Sequence, residues 1–376
     1  MIRRQIIEAI QKDLFRNKVI IVTGPRQVGK TTLLRELARQ TQRPTLWLNC
    51  DEPDDRADLE NVSSTQLRAL VGANQLLFID EAQRVSGIGL TLKLLADQLP
   101  DVQTIVTGSS ALELAGGINE PLTGRKFEYR LLPFSTKELV TETSQREEQR
   151  LLEQRLIYGF YPEVVLNSAE ADRLLAELAD SYLYKDILRL QDIRKPTVLQ
   201  KLLIALALQV GSEVSFYELS QTVGTDPATV ERYIGLLEQV FVVFQVGALS
   251  RNLRNELKKS KKVFFYDNGI RNAIIKNFNP LSLRADVGAL WENFIIAERV
   301  KANLYIGKQP AYYFWRTTQQ QEIDWLEEAG GQLKAFEFKW NPKAKAKFPT
   351  SFQEAYVGTE MAVVSPENYM NWLTES

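Results

Sequence analysis

The chain has 376 residues, a length that suits about two or three domains better than one compact core. Its 46 basic and 47 acidic side chains leave a formal net charge of −1, so any attraction to nucleic acid must come from a local patch. It contains no histidine, which excludes a His-ligated zinc site, a Ser-His-Asp triad and a histidine phosphorelay.

Cysteine content and hydropathy favour the cytosol. Cys50 is the single cysteine, which excludes an internal disulfide, and we expect it to be a small buried residue. No apolar run approaches the roughly 18 residues that a membrane helix needs. Charged residues interrupt the apolar positions of residues 1–10, which predicts an amphipathic helix rather than a signal peptide. We therefore expect a cytoplasmic protein with no membrane segment.

Apolar runs alternate with helical patterns in the first third of the chain. The runs are 18–23, 44–50, 75–81, 102–109 and 126–134. Such alternation predicts a parallel sheet with helices on both faces. Ligands of such a sheet gather at the carboxyl ends of its strands.

A glycine-framed segment, GPRQVGKT, follows the first apolar run and precedes a helical pattern. Strand, loop and helix in this order are the context of a P-loop, in which backbone N–H groups surround phosphate oxygens at a helix N-terminus. Lys30 would reach the β- and γ-phosphates of ATP, and Thr31 would ligate Mg²⁺. The predicted nucleotide-binding residues are Gly24, Pro25, Arg26, Gln27, Val28, Gly29, Lys30, Thr31 and Thr32.

The third apolar run ends in two acidic residues, as the magnesium partner of a P-loop requires. Asp80 is predicted to hold Mg²⁺, directly or through water, and Glu81 to polarise the attacking water. Ser109, at the end of the next strand, is predicted to sense the γ-phosphate or to orient that water. A structural turn is the alternative for Ser109.

Arg125 lies just before the last predicted strand of this sheet. It can supply positive charge to the transition state in its own subunit or in a neighbour, which would require a homo-oligomer. The alternative for Arg125 is a salt bridge.

The middle of the chain divides into two segments. Residues 141–195 are polar with helical spacing, which predicts a helical lid or connector. Residues 196–266 contain three helical patterns followed by two β-rich runs, which predicts a winged helix. A basic cluster falls largely between the two runs, and it predicts contact with DNA phosphates. Its residues are Arg251, Arg254, Lys258, Lys259, Lys261 and Lys262.

The last segment, residues 267–376, mixes helix and strand and carries a second set of charged residues. Glu337 and Lys339 would point to one side of a strand, and Asp324 on a facing strand would complete a carboxylate pair for Mg²⁺. The set is similar to the PD-(D/E)XK nuclease constellation, in which Glu292 matches an acidic residue of the preceding helix. Catalytic Asp324, Glu337 and Lys339, with Glu292 as a further metal ligand, are what this resemblance implies. The alternative is a domain that has kept this shape and serves only assembly or substrate docking.

The motifs GPRQVGKTTL, LLFIDEAQ, TGSS, LTGR, GFYPEVV, YLYKDI, VFFYDNGIRNAI and LWENFI together resemble a widespread bacterial and archaeal family of AAA-type ATPases. The resemblance spans nearly the whole chain. It implies an AAA-like P-loop domain over residues 1–140, followed by a winged helix and a restriction-endonuclease-like α/β domain.

The functional expectation is an ATPase that uses ATP and Mg²⁺, engages DNA, and positions a nuclease-like domain through ATP turnover. The alternative is a nucleotide-switched regulator whose C-terminal domain binds another protein. A third reading is an ATPase that remodels proteins.

Overall fold

The structure, a computed structural model, describes residues 2–108, 122–180, 193, 195–250, 261–317 and 319–374. The chain forms two compact units. The first consists mainly of Arg3–Pro133 with Gln239–Phe241, and the second of Phe134–Glu238 with Val242–Ser376.

Five parallel strands form the sheet of the first unit. They are β1 Val19–Thr23, β2 Thr45–Asn49, β3 Leu76–Asp80, β4 Gln103–Gly108 and β5 Lys126–Arg130. Their order in the sheet is β2-β3-β4-β1-β5, so β4 lies between β1 and β3. Every residue of β1, β3 and β4 is buried, as expected of strands covered on both faces. The predicted parallel α/β sheet is confirmed.

Helices flank this sheet. They are α1 Ile6–Lys12, α2 Lys30–Thr41, α3 Pro53–Ala57, α4 Ser64–Val71 and α5 Ile88–Gln98. Leucines and valines of α4 and α5 pack with β3 in one apolar cluster, which also contains Cys50. Cys50 is fully buried, and burial raises the pKa of its thiol to about 12, in agreement with a structural role.

The second unit begins with helices. Its longest described helix has 19 residues, most of which are buried. These elements are α6 Thr136–Glu142, α7 Gln145–Arg150, α8 Leu152–Tyr158, α9 Pro162–Leu166, α10 Ala171–Leu178, α11 Pro196–Leu208, α12 Phe216–Val223, α13 Pro227–Gln239, α14 Asn268–Ile274, α15 Val287–Tyr305, α16 Thr350–Ala355 and α17 Tyr369–Thr374. None of the described helices combines the length and apolar composition needed to cross a membrane.

Seven strands form the sheet of the second unit among the described residues. They are β6 Glu213–Val214, β7 Val243–Ala248, β8 Lys261–Phe265, β9 Ala311–Arg316, β10 Glu322–Ala329, β11 Gln332–Phe338 and β12 Glu360–Val364. Their order is β12-β11-β10-β9-β7-β8-β6. Strands β7 and β9 pair in parallel through Gly247 with Tyr313 and Ala248 with Phe314.

This pairing changes the predicted domain organisation. The segments predicted as a separate winged helix (196–266) and C-terminal domain (267–376) share one sheet and one apolar cluster, which includes Phe264, Trp325 and Phe336. The first unit also ends at Pro133, ahead of the predicted boundary at residue 140. Two compact units therefore stand in place of four predicted segments.

Several residues of the motifs GFYPEVV and VFFYDNGIRNAI meet inside the second unit. The buried Asp267 carboxylate accepts hydrogen bonds from Phe160 N at 2.7 Å and from Ile270 N at 3.1 Å, and it caps α14. Burial raises the pKa of Asp267. Gly159 has φ +68°, and a Cβ there would lie 2.1 Å from Asp267 Oδ1, so only glycine fits. These residues have a clear structural role.

Candidate nucleotide site and carboxylate cluster

The loop from Gly24 to Gly29 connects β1 to α2 at the carboxyl edge of the first sheet. Gly24 packs so closely on Leu131, the residue that follows β5, that an added Cβ would lie 2.0 Å from the Leu131 carbonyl oxygen. Gly29 has φ +90° and precedes α2, and it has no side chain with which to cap the helix. The first N–H groups of α2 therefore meet no side chain from Gly29, an arrangement that suits an anion.

Two basic residues hold this loop. The Lys30 ammonium donates to the carbonyl oxygens of Gly24 at 3.0 Å and of Pro25 at 2.8 Å. The buried guanidinium of Arg4 donates to Val28 O at 2.7 Å and to Leu132 O at 2.6 Å. Arg4 thus ties the loop to the segment that follows β5, a role that the sequence did not reveal.

The predicted magnesium ligands come together. Thr31 Oγ1 donates to Asp80 Oδ2 at 2.7 Å, although the two residues are 49 positions apart in the chain. The Thr107 hydroxyl, near the end of β4, donates to the other oxygen of the same carboxylate. Asp80 is 5% exposed. Because a hydroxyl group donates to each of its two oxygens, the carboxylate has a fixed orientation. Thr107 is the first residue of the motif TGSS, of which the sequence analysis assigned a role only to Ser109.

Glu81 follows Asp80 in a left-handed conformation, with φ +55°. Its N–H donates to Thr107 Oγ1 at 3.2 Å, and its carboxylate accepts a hydrogen bond from Gln83 Nε2 at 2.6 Å. The backbone turn and Gln83 therefore orient this carboxylate just past the strand end. Ser109 lies outside the described residues.

The remaining predicted nucleotide-binding residues occupy the same loop and helix start. Pro25 and Val28 are buried, whereas Gln27 is exposed and has φ +59°. Arg26 is half-buried and Thr32 is exposed. The segment therefore runs as a loop from Gly24 to Gly29 and continues into the first turn of α2.

Arg125 is located at the wrong end of the sheet to act on a nucleotide in its own subunit. Val19 pairs with Lys126 and Thr23 with Arg130, so Arg125 lies at the amino edge of the strands, roughly 15 Å from the loop at about 3.3 Å per residue. Its guanidinium pairs with Asp97 at 2.6 Å. The prediction of a role within the same subunit is wrong. Arg130, at the carboxyl end of β5, is exposed, and its guanidinium lies 5.8 Å from the centre of the Phe241 ring.

The second candidate site lies in the second unit. Lys339 Nζ donates to Glu337 Oε2 at 2.7 Å and lies 3.6 Å from Asp324 Oδ2. Asp324 Oδ2 also accepts the Phe338 N–H at 2.8 Å. The register of β10 against β9 shifts between Ile323 and Leu326, an irregularity that includes Asp324. The three residues predicted from the PD-(D/E)XK resemblance are therefore neighbours.

A second lysine, Lys262, lies between two further carboxylates, Glu292 and Glu322. Lys262 Nζ lies 3.2 Å from Glu292 Oε1 and 2.7 Å from Glu322 Oε1, and the Lys262 side chain is only 3% exposed. Burial alone would lower the pKa of Lys262, but these two carboxylates raise it. Burial also raises the pKa of Glu292, against the effect of Lys262, and the Asp324 carboxylate adds to that increase. Burial and Asp324 likewise raise the pKa of Glu337.

These contacts do not fit a preformed magnesium site. Within the described ranges, no group of three or more histidine, cysteine, aspartate or glutamate side chains is arranged to hold a metal ion. The predicted ligands Glu292, Asp324 and Glu337 instead have lysines or backbone N–H groups as partners. The prediction that Lys262 contacts DNA is also wrong, because its ammonium is buried in ion pairs.

The rest of the predicted DNA contact is described only in part. Lys261, at the start of β8, is half-buried, and its ammonium lies 5.8 Å from the centre of the Phe216 ring. Arg251, Arg254, Lys258 and Lys259 lie outside the described residues.

Comparison with known families agrees with the first site. Residues 16–140 match the model of an AAA domain. Residues 149–281 match a domain of unknown function, DUF8612, and residues 287–371 match another, DUF4143. The first unit therefore contains an AAA-like domain, which supports the predicted nucleotide binding.

Two proteins that are similar over most of the chain are named as uncharacterized. An uncharacterized protein of Mycobacterium tuberculosis is 28% identical over 342 residues, which are 90% of this chain and 74% of that protein. An uncharacterized protein of Haemophilus influenzae is 26% identical over 277 residues, which are 68% of each protein. Among solved structures, the RuvB Holliday junction branch migration motor of Thermotoga maritima matches 66% of this chain and 88% of its own, with 18% identity and a TM-score of 0.32. A TM-score this low supports no conclusion about function.

Proposed function

We propose that this protein is a nucleotide-switched ATPase that hydrolyses ATP with Mg²⁺ held by Thr31 and Asp80. The observation that carries the proposal is the contact between Thr31 Oγ1 and Asp80 Oδ2 at 2.7 Å, beside a loop with the geometry of a phosphate cradle. When bound, Mg²⁺ neutralises phosphate charge and fixes the phosphates in place.

The side chains of the site have distinct roles in this proposal. Lys30 exchanges its carbonyl partners for the β- and γ-phosphates of ATP. Glu81 accepts a proton from water while the water oxygen attacks the γ-phosphorus and the bond to the ADP oxygen breaks. The products are ADP and inorganic phosphate. Gln83 and Thr107 orient Glu81 through its carboxylate and its N–H.

Two measurements test the proposal: calorimetric titration with ATP and Mg²⁺, and the rate at which phosphate is released from ATP. Lys30→Ala should abolish ATP binding, whereas Glu81→Gln should retain binding and lower kcat by about 10²- to 10⁴-fold. Lys12→Ala, on the exposed end of α1, is the matched control. The proposal is refuted if Lys30→Ala binds ATP as the parent does.

We further propose that residues 196–266 form a winged helix that contacts DNA. Three helices, α11 to α13, are followed by strands β7 and β8, which pair antiparallel, and β6 pairs antiparallel with β8. This order of elements supports the proposal, together with the basic sequence between β7 and β8. Neutralising about four phosphates would weaken binding roughly a hundredfold between about 50 and 200 mM salt.

A charge-matched pair of variants tests the DNA contact. Arg254→Ala/Lys258→Ala should weaken binding of duplex DNA and flatten its dependence on salt. Arg146→Ala/Arg150→Ala removes two exposed charges from α7 and should change neither quantity. Equal effects of the two double variants would contradict a specific contact by the basic segment.

For the C-terminal part of the second unit, we propose a nuclease-like arrangement that serves docking or assembly rather than cleavage. The ion pairs of Lys262 support this choice over DNA cleavage. Parent, Glu337→Ala and Lys339→Ala should all fail to nick plasmid DNA with Mg²⁺ above the level of a Lys30→Ala preparation. Nicking that Glu337→Ala and Lys339→Ala both remove would establish a nuclease instead.

An action of Arg125 on a neighbouring subunit remains a proposal. It is supported only by the position of Arg125 on the surface, far from the loop of its own subunit. If it acts between subunits, mixing Arg125→Ala with Lys30→Ala should restore part of the ATPase activity that each variant lacks. No recovery on mixing inactive variants would rule it out.

A further inference from the structure

We propose that the Lys262 ammonium takes the place of a divalent cation among Glu292, Glu322, Asp324 and Glu337, and thereby excludes Mg²⁺ from this cluster. The inference rests on the proposed nuclease-like arrangement of the C-terminal part and is independent of ATP hydrolysis. Lys262 therefore determines which cation the carboxylates of the second unit can hold.

The position of the ammonium supports this assignment. Lys262 lies on β8, and its side chain passes Phe314 of β9, with Nζ 5.4 Å from the ring centre. It ends between a helix residue, Glu292, and a strand residue, Glu322, at 3.2 and 2.7 Å. Carboxylate oxygens that converge on one point, as these two do, are the ligands that a hard cation prefers.

The other half of the cluster is also satisfied without a metal ion. Lys339 contacts both Glu337 and Asp324, and the Phe338 N–H contacts Asp324 Oδ2. Asp324 lies two residues after Glu322 on β10, on the same face of the strand, and its charge raises the pKa of Lys262 and of Glu292. A divalent cation bound here would be repelled by the buried ammonium, and it would have to displace these partners.

Lys262 is well suited to this role because it cannot diffuse away. Its side chain is 3% exposed, and its backbone pairs with both neighbouring strands, through Val246 of β7 and Glu213 of β6. An ammonium carries one charge and donates hydrogen bonds, so it neutralises carboxylates but cannot coordinate water as a metal ion does. The cluster keeps its shape and lacks the chemistry of hydrolysis.

Manganese titration of the full chain, without nucleotide, tests the inference. An Asp80→Asn background removes the metal ligand of the P-loop, and electron paramagnetic resonance measures free Mn²⁺. Lys262→Met keeps an unbranched apolar stem but removes the charge, and it should bind one Mn²⁺ on the order of tenfold or more tightly than the parent. Lys261→Met, one residue earlier on β8, is the matched control and should behave as the parent.

Glu337→Gln decides the location of the ion. In the Lys262→Met background it should remove the gained Mn²⁺ affinity, and in the parent background it should change nothing. The inference is overturned if the parent itself binds Mn²⁺ in a way that Glu337→Gln abolishes, or if folded Lys262→Met gains no affinity. If Lys262→Met does not fold, the comparison of the parent with Glu337→Gln still decides the question. Plasmid nicking is a separate readout, so failure of the docking role can be told from failure of this inference.

Discussion

Replacing Gly24 with alanine tests how tightly the phosphate loop is built. The added Cβ would lie 2.0 Å from the Leu131 carbonyl oxygen, a distance that a carbon and an oxygen atom cannot adopt. Leu131 cannot yield easily, because its N–H donates to Thr23 O at 2.8 Å. The loop must therefore move away from Leu131 by about 1 Å or more to reach an ordinary contact.

A displacement of that size is large on the scale of a hydrogen bond. A bond from N–H to a phosphate oxygen is made at about 2.7–3.2 Å and is lost near 3.6 Å. Each lost bond to a charged group costs about 1.5–3 kcal/mol, which weakens ATP binding by about 10- to 150-fold. Overpacking against Leu131 should also lower the free energy of unfolding by about 1–3 kcal/mol.

Calorimetric titration with ATP and Mg²⁺, together with thermal unfolding, measures both effects. Gly87→Ala is the control, because Gly87 also has a positive φ, +68°, but its added Cβ meets no described atom within 4 Å. The control should lose some stability through backbone strain and retain ATP affinity. The reasoning is refuted if Gly24→Ala binds ATP within about twofold of the parent, since a 1 Å displacement cannot leave such bonds intact.

Three further predictions concern stability and reactivity. Arg299→Met leaves the buried Glu327 without the guanidinium that it contacts at 2.8 and 2.9 Å, so urea unfolding should show a loss of about 3–5 kcal/mol, partly restored by Glu327→Gln. A loss as small as that of Arg150→Met, in an exposed ion pair, would contradict this. Although burial acts to raise the pKa of Asp286, two neighbouring arginines lower it from 3.8 to about 2. The contribution of Asp286 to stability is thus present above the ordinary pKa and is lost as pH falls through the folded pKa. Asp286→Asn should therefore weaken the dependence of the free energy of unfolding on pH in the acid range. Because burial raises the pKa of the Cys50 thiol to about 12, iodoacetamide should modify it in urea but not in the native protein, as mass spectrometry would show.

Local patterns predicted the first unit well because its strands are short apolar runs followed by turn residues. The run predicted at 44–50 is β2 at Thr45–Asn49, and the run at 75–81 is β3 at Leu76–Asp80. The pairing of β7 with β9 could not be predicted in the same way. Their paired residues, Gly247 with Tyr313 and Ala248 with Phe314, are 66 positions apart, and no local pattern specifies such a partner.

Two errors at the candidate sites had signals in the sequence. Arg125 precedes its strand, and parallel strands place every such residue at the edge opposite to the P-loop. Lys261 and Lys262 are consecutive in a strand, so their side chains must point to opposite faces, and only one of them can face solvent. The contribution of Thr107 had a weaker signal: it is the first residue of the motif TGSS, but a buried threonine in a strand is common and its partner Asp80 is on another strand.

Lys30 and Lys262 differ in the charge of their partners. Because of this difference, the Lys30 ammonium can change partners when a ligand binds, whereas the Lys262 ammonium stays in place. Lys30 donates to the neutral carbonyl oxygens of Gly24 and Pro25, which are weaker acceptors than phosphate oxygens, so ATP can draw the ammonium away. Lys262 contacts two carboxylates and is buried, so its withdrawal would leave Glu292 and Glu322 without that counter-charge at a cost of about 3–5 kcal/mol. A nucleotide should therefore reposition Lys30, whereas Mg²⁺ at millimolar concentration should leave Lys262 in place.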